Sequence, residues 1–299
     1  MKKLLKLMLA IAMPLTMVGC SSTPEDEETA NILCPSGAPS LSLVSIYDDV
    51  VDAGGSITFV DGSDTLVAEL SKEDSEYDII VAPINVGAKL IAADSTDYLL
   101  AGVLTWGNLY IVGTADADLS GDGDIALFGS GAVPEMIYNQ TKDEIGITLT
   151  ETYYDSATLV QEQLLAGNVE AGILAEPVAT ATIAKASQAG IELTVLADLQ
   201  EYFNDGEGYP QASIFIKSDE YYNDLLDSLD EWTNNGYEDV ETLIDSIGAE
   251  TLGLPSTTIA VNSLDRQNIS YVAASDCVDE LTDFLALYEI EFSEDMIHD

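Results

Sequence analysis

Few side chains in this sequence could carry acid–base chemistry, and they do not form a recognisable catalytic set. Glu176, Asp155 and Tyr153 are the candidates, because a carboxylate or a phenol can take up or release a proton beside a reacting group. The only histidine, His298, lies at the C-terminus, and no Ser-His pair, Cys-His pair or metal-ligand pattern accompanies it. The sequence therefore predicts a protein that is not an enzyme and that holds neither a cofactor nor a metal ion.

A glycine-rich loop gives the strongest local indication of a ligand. The segment FGSGAVP, at 128–134, follows an apolar run and precedes an amphipathic helical pattern. Glycines and a serine where a helix begins leave backbone N–H groups unpaired at the positive end of the helix dipole, which favours ligand binding. Neither GxGxxG nor GK[ST] occurs, so the loop does not indicate nucleotide binding. A tight turn without a ligand is the alternative.

A second loop, DADLSGDGD at 116–124, partly resembles a calcium-binding EF-hand loop. Its aspartates and serine fall near ligand positions, but Leu127 stands where a bidentate glutamate is needed, and Gly123 replaces the usual apolar eighth residue. We predict a solvated turn here, with a calcium site as the alternative.

Length and charge restrict the function further. A chain of 299 residues with 47% hydrophobic residues can form two domains, each with a core of its own. It carries 54 acidic residues against 9 basic ones, a formal net charge of −45. Such a surface repels nucleic acid and anionic lipid, which excludes both as partners.

The first residues resemble a bacterial lipoprotein signal. Lys2, Lys3 and Lys6 precede an apolar run that ends in MVGC, and an acidic Ser/Thr/Pro segment follows. We predict a signal peptide at 1–19, lipidation of Cys20 and a tether at 20–29. An uncleaved anchor is disfavoured because the apolar segment is short for a membrane span. Cys34 and Cys277 could form a disulfide or remain two buried thiols.

Apolar runs alternate with helical patterns along the rest of the chain, which predicts an α/β fold with mostly parallel sheets flanked by helices. The central stretch 99–114, LLAGVLTWGNLYIVGT, has two apolar runs separated by Thr-Trp-Gly-Asn. Glycine inside a strand pattern indicates a bend, so we expect this stretch to pass from one lobe to another. The apolar run at 211–216 is expected to return to the first lobe, and the remainder is expected to be mostly helical.

Taken together, these features resemble the type II substrate-binding lipoproteins of ABC transporters, in the branch that takes nitrate, sulfonates and thiamine precursors. The segments that carry the resemblance are LCPSGAPS at 33–40, VAPIN at 81–85, LTWGNLY at 104–110, FGSGAVP at 128–134, ILAEP at 173–177 and YPQASIFI at 209–216.

The resemblance implies a two-lobed fold joined by two crossings, with one lobe at 30–105 and 211–299 and the other at 106–210. It implies a monomer on the extracytoplasmic face of the bacterial cell membrane, held by its lipid anchor. The partners would be a small-molecule solute, bound by hinge closure, and an ABC transporter permease. The same fold also occurs in enzymes of menaquinone biosynthesis, and a surface sensor or adhesin is a further alternative.

The resemblance also implies which loops touch the solute, and α/β proteins do bind ligands beyond the carboxyl ends of their strands. The implied ligand-binding residues are Ser36, Gly37, Ala38, Pro83, Ile84, Asn85, Thr105, Trp106, Ser130, Gly131, Ala132, Ser156, Glu176 and Gln211. None of these loops has a basic side chain, since Lys89 lies a turn inside its helix and Arg266 is remote in sequence. A neutral or cationic aromatic solute, stacked on Trp106 or Tyr154 and met by Glu176, is as consistent as an anion held by backbone donors.

Overall fold

The structure is a computed structural model that describes residues 29–206 and 208–298. The predicted signal peptide and the predicted lipidation site, Cys20, lie outside these residues. Within the described part of the chain, no helix combines the length and the apolar character that a membrane crossing requires.

Eleven strands and twelve α-helices make up the described chain. The strands are β1 Asn31–Pro35, β2 Ser56–Val60, β3 Ile79–Pro83, β4 Tyr98–Thr105, β5 Leu109–Thr114, β6 Asp124–Phe128, β7 Thr150–Tyr154, β8 Ala171–Ala175, β9 Leu193–Asp198, β10 Ala212–Lys217 and β11 Ile269–Ala273. The helices are α1 Ala38–Ser42, α2 Tyr47–Asp52, α3 Asp64–Leu70, α4 Ile84–Ala92, α5 Val133–Ile145, α6 Ala157–Ala166, α7 Val178–Gln188, α8 Asn223–Asn234, α9 Val240–Ile247, α10 Thr257–Asn262, α11 Leu264–Gln267 and α12 Val278–Ala286.

The strands form two sheets, which confirms the α/β class and the two-lobed architecture. The sheet of the first lobe has the order β11-β4-β10-β3-β1-β2, and that of the second lobe has the order β7-β6-β8-β5-β9. The prediction of mostly parallel sheets was wrong in detail. β1 pairs in parallel with β2 and β3, and β6 pairs in parallel with β7 and β8, but the other ladders are antiparallel. In four of these ladders the reason is that β10 or β5 enters its sheet from the other lobe and therefore runs opposite to its neighbours. The fifth is formed by the edge strand β11, which runs opposite to β4.

Both sheets turn the same edge toward the junction between the lobes. In the first sheet, β3 ends at Pro83 opposite Ala212, and Ala212 also pairs with Thr105 at the end of β4. In the second sheet, β8 ends at Ala175 opposite Leu109, where β5 begins. The carboxyl ends of β1, β3, β6, β7 and β8 therefore lie at the edges from which the connections leave, and this is where α/β folds bind ligands.

Two segments connect the lobes, but the run at 211–216, which was expected to be the second crossing, forms β10 inside the first sheet. Residues 106–108 join β4 to β5, and residues 199–211 join β9 to β10. Gly107 bends the first connection with a φ of +85°, and a Cβ at this position would lie 2.7 Å from the Tyr209 ring of the second. Only glycine satisfies both the backbone conformation and this close contact.

The central strands are buried on both faces, because helices cover each side of the sheets, whereas the edge strands β2 and β7 are more exposed. On one face of the first sheet Leu33 and Ile80 contact the core beneath α3, α4 and α12, and on the other Ile32 and Val81 contact the core with Leu43. This burial explains why the strands read as continuous apolar runs in the sequence.

The two cysteines of the described chain, Cys34 and Cys277, are free thiols. Cys34 is buried with Ile32 and Val81, and Cys277 is buried with Leu281 in the core on the opposite face of the sheet. The sheet therefore separates the two sulfur atoms.

The acidic loop at 116–124 closes on itself. Asp118 Oδ1 accepts hydrogen bonds from the Ser120 N–H at 3.0 Å and from its hydroxyl at 2.7 Å. Among residues 29–206 and 208–298, no three His, Cys, Asp or Glu side chains are grouped so that they could hold a metal ion.

Candidate functional site

Trp106, which the sequence placed in the ligand cleft, is anchored to the last strand of the first lobe. Its backbone N–H donates to the Asn268 carbonyl at 2.9 Å, and its indole Nε1–H donates to the Ser270 carbonyl at 2.9 Å. It lines a cavity of about 570 Å³ together with Asn268 and Cys277. This is a different cavity from the one that Asn85 and Gly131 line.

Gln211 and Glu176 meet at the junction through Asn108, which the sequence placed in the stretch between the lobes but not among the ligand-binding residues. Gln211 Nε2 donates to Asn108 Oδ1 at 3.0 Å, and Asn108 Nδ2 donates to the Glu176 carbonyl at 3.3 Å. Thr105 Oγ1 accepts from the Ala212 N–H at 3.0 Å. These bonds tie the end of β4, the start of β10 and the end of β8 together, so the junction is a fixed hydrogen-bonded unit.

Glu176 has a partner that the sequence did not reveal. Arg266, the only arginine in the chain, lies on α11 and donates from Nε to Glu176 Oε1 at 2.8 Å. Thr180 donates to the same carboxylate from its backbone N–H at 3.0 Å and from its hydroxyl at 2.9 Å. Arg266 also contacts the Thr180 hydroxyl through Nη2.

This ion pair changes the interpretation of Glu176. The Glu176 side chain is 0% exposed, and its carboxylate oxygens already accept three hydrogen bonds, one of them from Arg266. The charge of the Glu176 carboxylate is balanced by the Arg266 guanidinium, and the buried carboxylate cannot contact a cationic solute or a substrate in solvent. Arg266 is distant in sequence but adjacent in space, because α11 packs beside the start of α7.

Two sequence-predicted ligand residues, Asn85 and Gln211, each have a buried side-chain oxygen without a partner among the described residues, and Asn85 is the one of the two that lines a large cavity. Asn85 lies in the first turn of α4, whose start is fixed by a hydrogen bond from the Ile84 N–H to the Gln211 carbonyl at 3.0 Å. The residue is 9% exposed, and the buried Oδ1 has no hydrogen-bond partner among the residues that the structure describes. Pro83 lies just before it, at the end of β3.

Asn85 lines a cavity of about 960 Å³, which we call the α4 cavity. One wall is α4, the second is the C-terminal segment 288–296, and Gly131 of the second lobe lies at the edge. The Tyr288 hydroxyl is buried on this wall without a partner among the described residues, and burial raises its pKa, so the phenol keeps its proton. The cavity thus combines residues of both lobes with two unpaired polar side-chain atoms.

The glycine-rich loop after β6 forms part of this cavity, but not all of its N–H groups are free. Gly131 has a φ of +75°, and a Cβ there would meet nothing within 4 Å. Its N–H donates to Glu135 Oε2 at 2.5 Å, and the Ser130 hydroxyl donates to the same oxygen at 3.4 Å. The Ala132 N–H donates to the Gly129 carbonyl at 2.9 Å. The Glu135 carboxylate therefore occupies the start of α5, where the sequence predicted that an unpaired N–H group could bind a ligand.

The loop after β1 is covered by the chain. The Gly37 N–H donates to Ser40 Oγ at 3.1 Å, and Ser40 Oγ donates to the Leu252 carbonyl at 2.6 Å. Gly253 lies against Ser36, so closely that a Cβ at Gly253 would come within 2.4 Å of the Ser36 side chain. Ala38, the first residue of the short helix α1, is buried beneath this contact.

Ser156 acts as a helix cap. It accepts a hydrogen bond from the Leu159 N–H at 3.3 Å at the start of α6, where a serine side chain stabilises the first turn. It therefore has a structural role whether or not a ligand reaches it.

No family model and no curated protein matches this sequence. Solved structures do match. An ABC transporter from Parabacteroides distasonis superimposes with a TM-score of 0.70 at 22% identity, over 87% of this chain and 92% of the other. The periplasmic aliphatic sulphonate-binding protein of Escherichia coli gives 0.62 at 16% identity, over 88% and 87% of the two chains.

The chain has the periplasmic-binding-protein fold. The alkanesulfonate-binding protein of Xanthomonas axonopodis, bound to MOPS, matches as well, with a TM-score of 0.58 at 17% identity over 89% of this chain and 96% of the other. These similarities confirm the predicted resemblance to the substrate-binding proteins of ABC transporters. At identities of 22% and below, what the chains share is the periplasmic-binding-protein fold.

Proposed function

We propose that this protein captures a small organic solute between its two lobes and delivers it to the permease of an ABC importer. The periplasmic-binding-protein fold supports a solute-binding role, since solved structures with this fold include sulfonate-binding proteins. We assign residues 30–105 and 211–299 to the first lobe and residues 106–210 to the second.

The Asn85 carboxamide is the observation that supports this proposal most directly. Buried polar groups in folded proteins are nearly always hydrogen-bonded, and leaving one unpaired costs about 1–3 kcal/mol. Asn85 Oδ1 is buried and unpaired at the carboxyl edge of the first sheet, on the wall of a cavity that Gly131 of the second lobe also lines. A solute that donates a hydrogen bond to this oxygen would remove that cost.

The two connections between the lobes support capture by hinge closure. Both leave from neighbouring strand ends, and the hydrogen bonds of Asn108 hold those ends together. Bending at such a pair of connections opens or closes the cleft without breaking either sheet. The proposal includes lipidation at Cys20, which would hold the binding protein on the outer face of the membrane, beside its permease, and it includes a monomeric state.

A thermal-shift screen against small metabolites tests the proposal, because a bound solute raises the unfolding temperature by mass action. We expect at least one compound to stabilise the wild type. Asn85→Ala should lower its affinity by roughly five- to a hundredfold, the equivalent of about 1–3 kcal/mol. Asn139→Ala, which removes an exposed amide on α5, is the matched control and should leave the affinity unchanged.

Two results would contradict the proposal. One is a screen in which no compound stabilises the wild type. The other is a stabilising compound whose affinity is the same in Asn85→Ala as in the wild type. Small-angle scattering adds an independent measurement, since the protein should become more compact when the stabilising compound is added.

A further inference from the structure

Acidic residues outnumber basic residues on the walls of the α4 cavity. Four carboxylates line it, those of Asp94, Glu289, Glu291 and Asp295, whereas Lys89 is its one basic residue. None of these five side chains takes part in the ion pairs found in the described part of the chain. The carboxylates are exposed and unneutralised, so the field inside the cavity attracts cations.

The hydrogen-bonding groups in the cavity also favour a cationic ligand. Asn85 Oδ1 is an acceptor, and the Tyr288 hydroxyl oxygen can also accept. Both are buried and unpaired among residues 29–206 and 208–298. An ammonium group has N–H donors and no acceptor, and therefore matches an unpaired carbonyl oxygen in a negative field.

The cavity has few groups that could bind an anion. The Gly131 N–H, which could have met an anion at the start of α5, already donates to Glu135. Arg266 is held by Glu176 and does not line the cavity. Only Lys89 remains, and its side chain is exposed at the rim.

From this combination we propose that the α4 cavity binds a small protonated amine. An N–H group of the amine donates to Asn85 Oδ1, and the four carboxylates attract its positive charge. This inference rests on the proposed function and narrows its solute to an organic cation.

Calorimetry with three probes of similar length tests the charge class. The probes are the diamine putrescine, the neutral butanediol and the anion butanesulfonate. We expect saturable binding of putrescine alone. The binding should weaken between about 20 mM and about 200 mM NaCl, because the Debye length falls from roughly 20 Å to roughly 7 Å.

Variants distinguish binding in the cavity from general attraction to the acidic surface. Asn85→Ala should weaken putrescine binding by about tenfold or more. Neutralising the four cavity carboxylates together (Asp94→Asn, Glu289→Gln, Glu291→Gln, Asp295→Asn) should weaken it by roughly 16- to 80-fold, at about two- to threefold for each independent substitution. The matched control neutralises four exposed carboxylates on other helices (Asp48→Asn, Asp49→Asn, Glu231→Gln, Glu241→Gln) and should change the affinity less than twofold.

Three outcomes would overturn the inference. The absence of saturable putrescine binding would exclude a compact amine as the ligand of the cavity. Putrescine binding that all variants weaken equally indicates diffuse attraction to an acidic surface. Saturable binding of butanesulfonate, lost in Lys89→Ala, means that the cavity takes an anion. The last outcome overturns the charge class but leaves the proposed solute-binding function intact, and that function fails only on the screen described above.

Discussion

Replacing Arg266 by methionine removes the cationic partner of a carboxylate that has no contact with solvent. Glu176 is 0% exposed at its side chain, whereas the Arg266 side chain is 41% exposed. In Arg266→Met the carboxylate keeps the two hydrogen bonds from Thr180 but loses the guanidinium at 2.8 Å. The first lobe would then lose an ionic contact with the second.

The expected cost lies between two limits. Breaking a fully buried ion pair costs about 3–5 kcal/mol, whereas an exposed pair contributes about 1 kcal/mol or less. Because the guanidinium is partly exposed and Thr180 remains, we expect Arg266→Met to lower the free energy of unfolding by about 2 kcal/mol. With a urea m-value of about 3 kcal/mol/M, the midpoint should fall by about 0.7 M.

Urea unfolding of a double-mutant cycle tests this reasoning. Glu176→Gln alone should also destabilise the protein, but Arg266→Met with Glu176→Gln should be more stable than Arg266→Met alone, because no buried charge is left unpaired. Lys72→Met, which removes an exposed partner 3.2 Å from Glu69, is the control and should change the midpoint little. If the two substitutions prove additive, or if Arg266→Met costs no more than Lys72→Met, the argument from burial is wrong.

Three further results are expected. Burial, the largest cause, raises the pKa of Asp198, so its negative charge destabilises the folded protein once the pH exceeds the usual carboxyl pKa. Asp198→Asn should therefore be more stable than the wild type at neutral pH, and this advantage should disappear below the usual carboxyl pKa. Urea unfolding at a series of pH values measures the difference. In Cys20→Ala, a thiol reagent should label neither Cys34 nor Cys277 until the protein unfolds, since burial raises the pKa of Cys277 to about 12 and that of Cys34 well above its usual value; rapid labelling of this native variant would contradict the expectation. Clickable palmitate should label the wild type in cells and not Cys20→Ala, and label retained by the variant would refute lipidation at Cys20.

Local patterns were enough to predict the fold. The central stretch was expected to break at Trp106–Asn108, and the structure ends β4 at Thr105 and begins β5 at Leu109. A buried strand needs a continuous apolar run, and a bend needs a residue that tolerates positive φ, so both can be seen in a single sequence. The order of the strands in each sheet was not predicted, because it depends on pairing between segments that are distant in the sequence.

Strand β11 shows where local reasoning failed. The C-terminal third was expected to be mostly helical, yet Ile269–Ala273 forms an edge strand antiparallel to β4. The segment ISYVA has only five residues and is half-buried, so its apolar pattern is weak. Its pairing partner, Val103, is about 170 residues earlier in the chain, and nothing near the segment indicates that contact.

The candidate site was harder to predict than the fold, for the same reason. Asn85 and Gly131 could be named because each follows a predicted strand. Arg266 was set aside as remote in sequence, and the bonds of Asn108 to Gln211 and Glu176 were not foreseen, since both roles depend on partners that only the folded chain brings close. The four carboxylates of the α4 cavity come from two distant segments, and each is one acidic residue among the 54 in the chain.

The position of β10 sets an order for folding during synthesis. The second sheet uses strands from Leu109 to Asp198 and can be completed as soon as that segment has emerged. The first sheet cannot, because β10 lies between β3 and β4 and must be inserted from residues 212–217. β3 and β4 therefore wait for a strand made more than 100 residues later, and pairing over such sequence separation is slow. The sheet of the first lobe is consequently completed only after the strands of the second lobe have been synthesised.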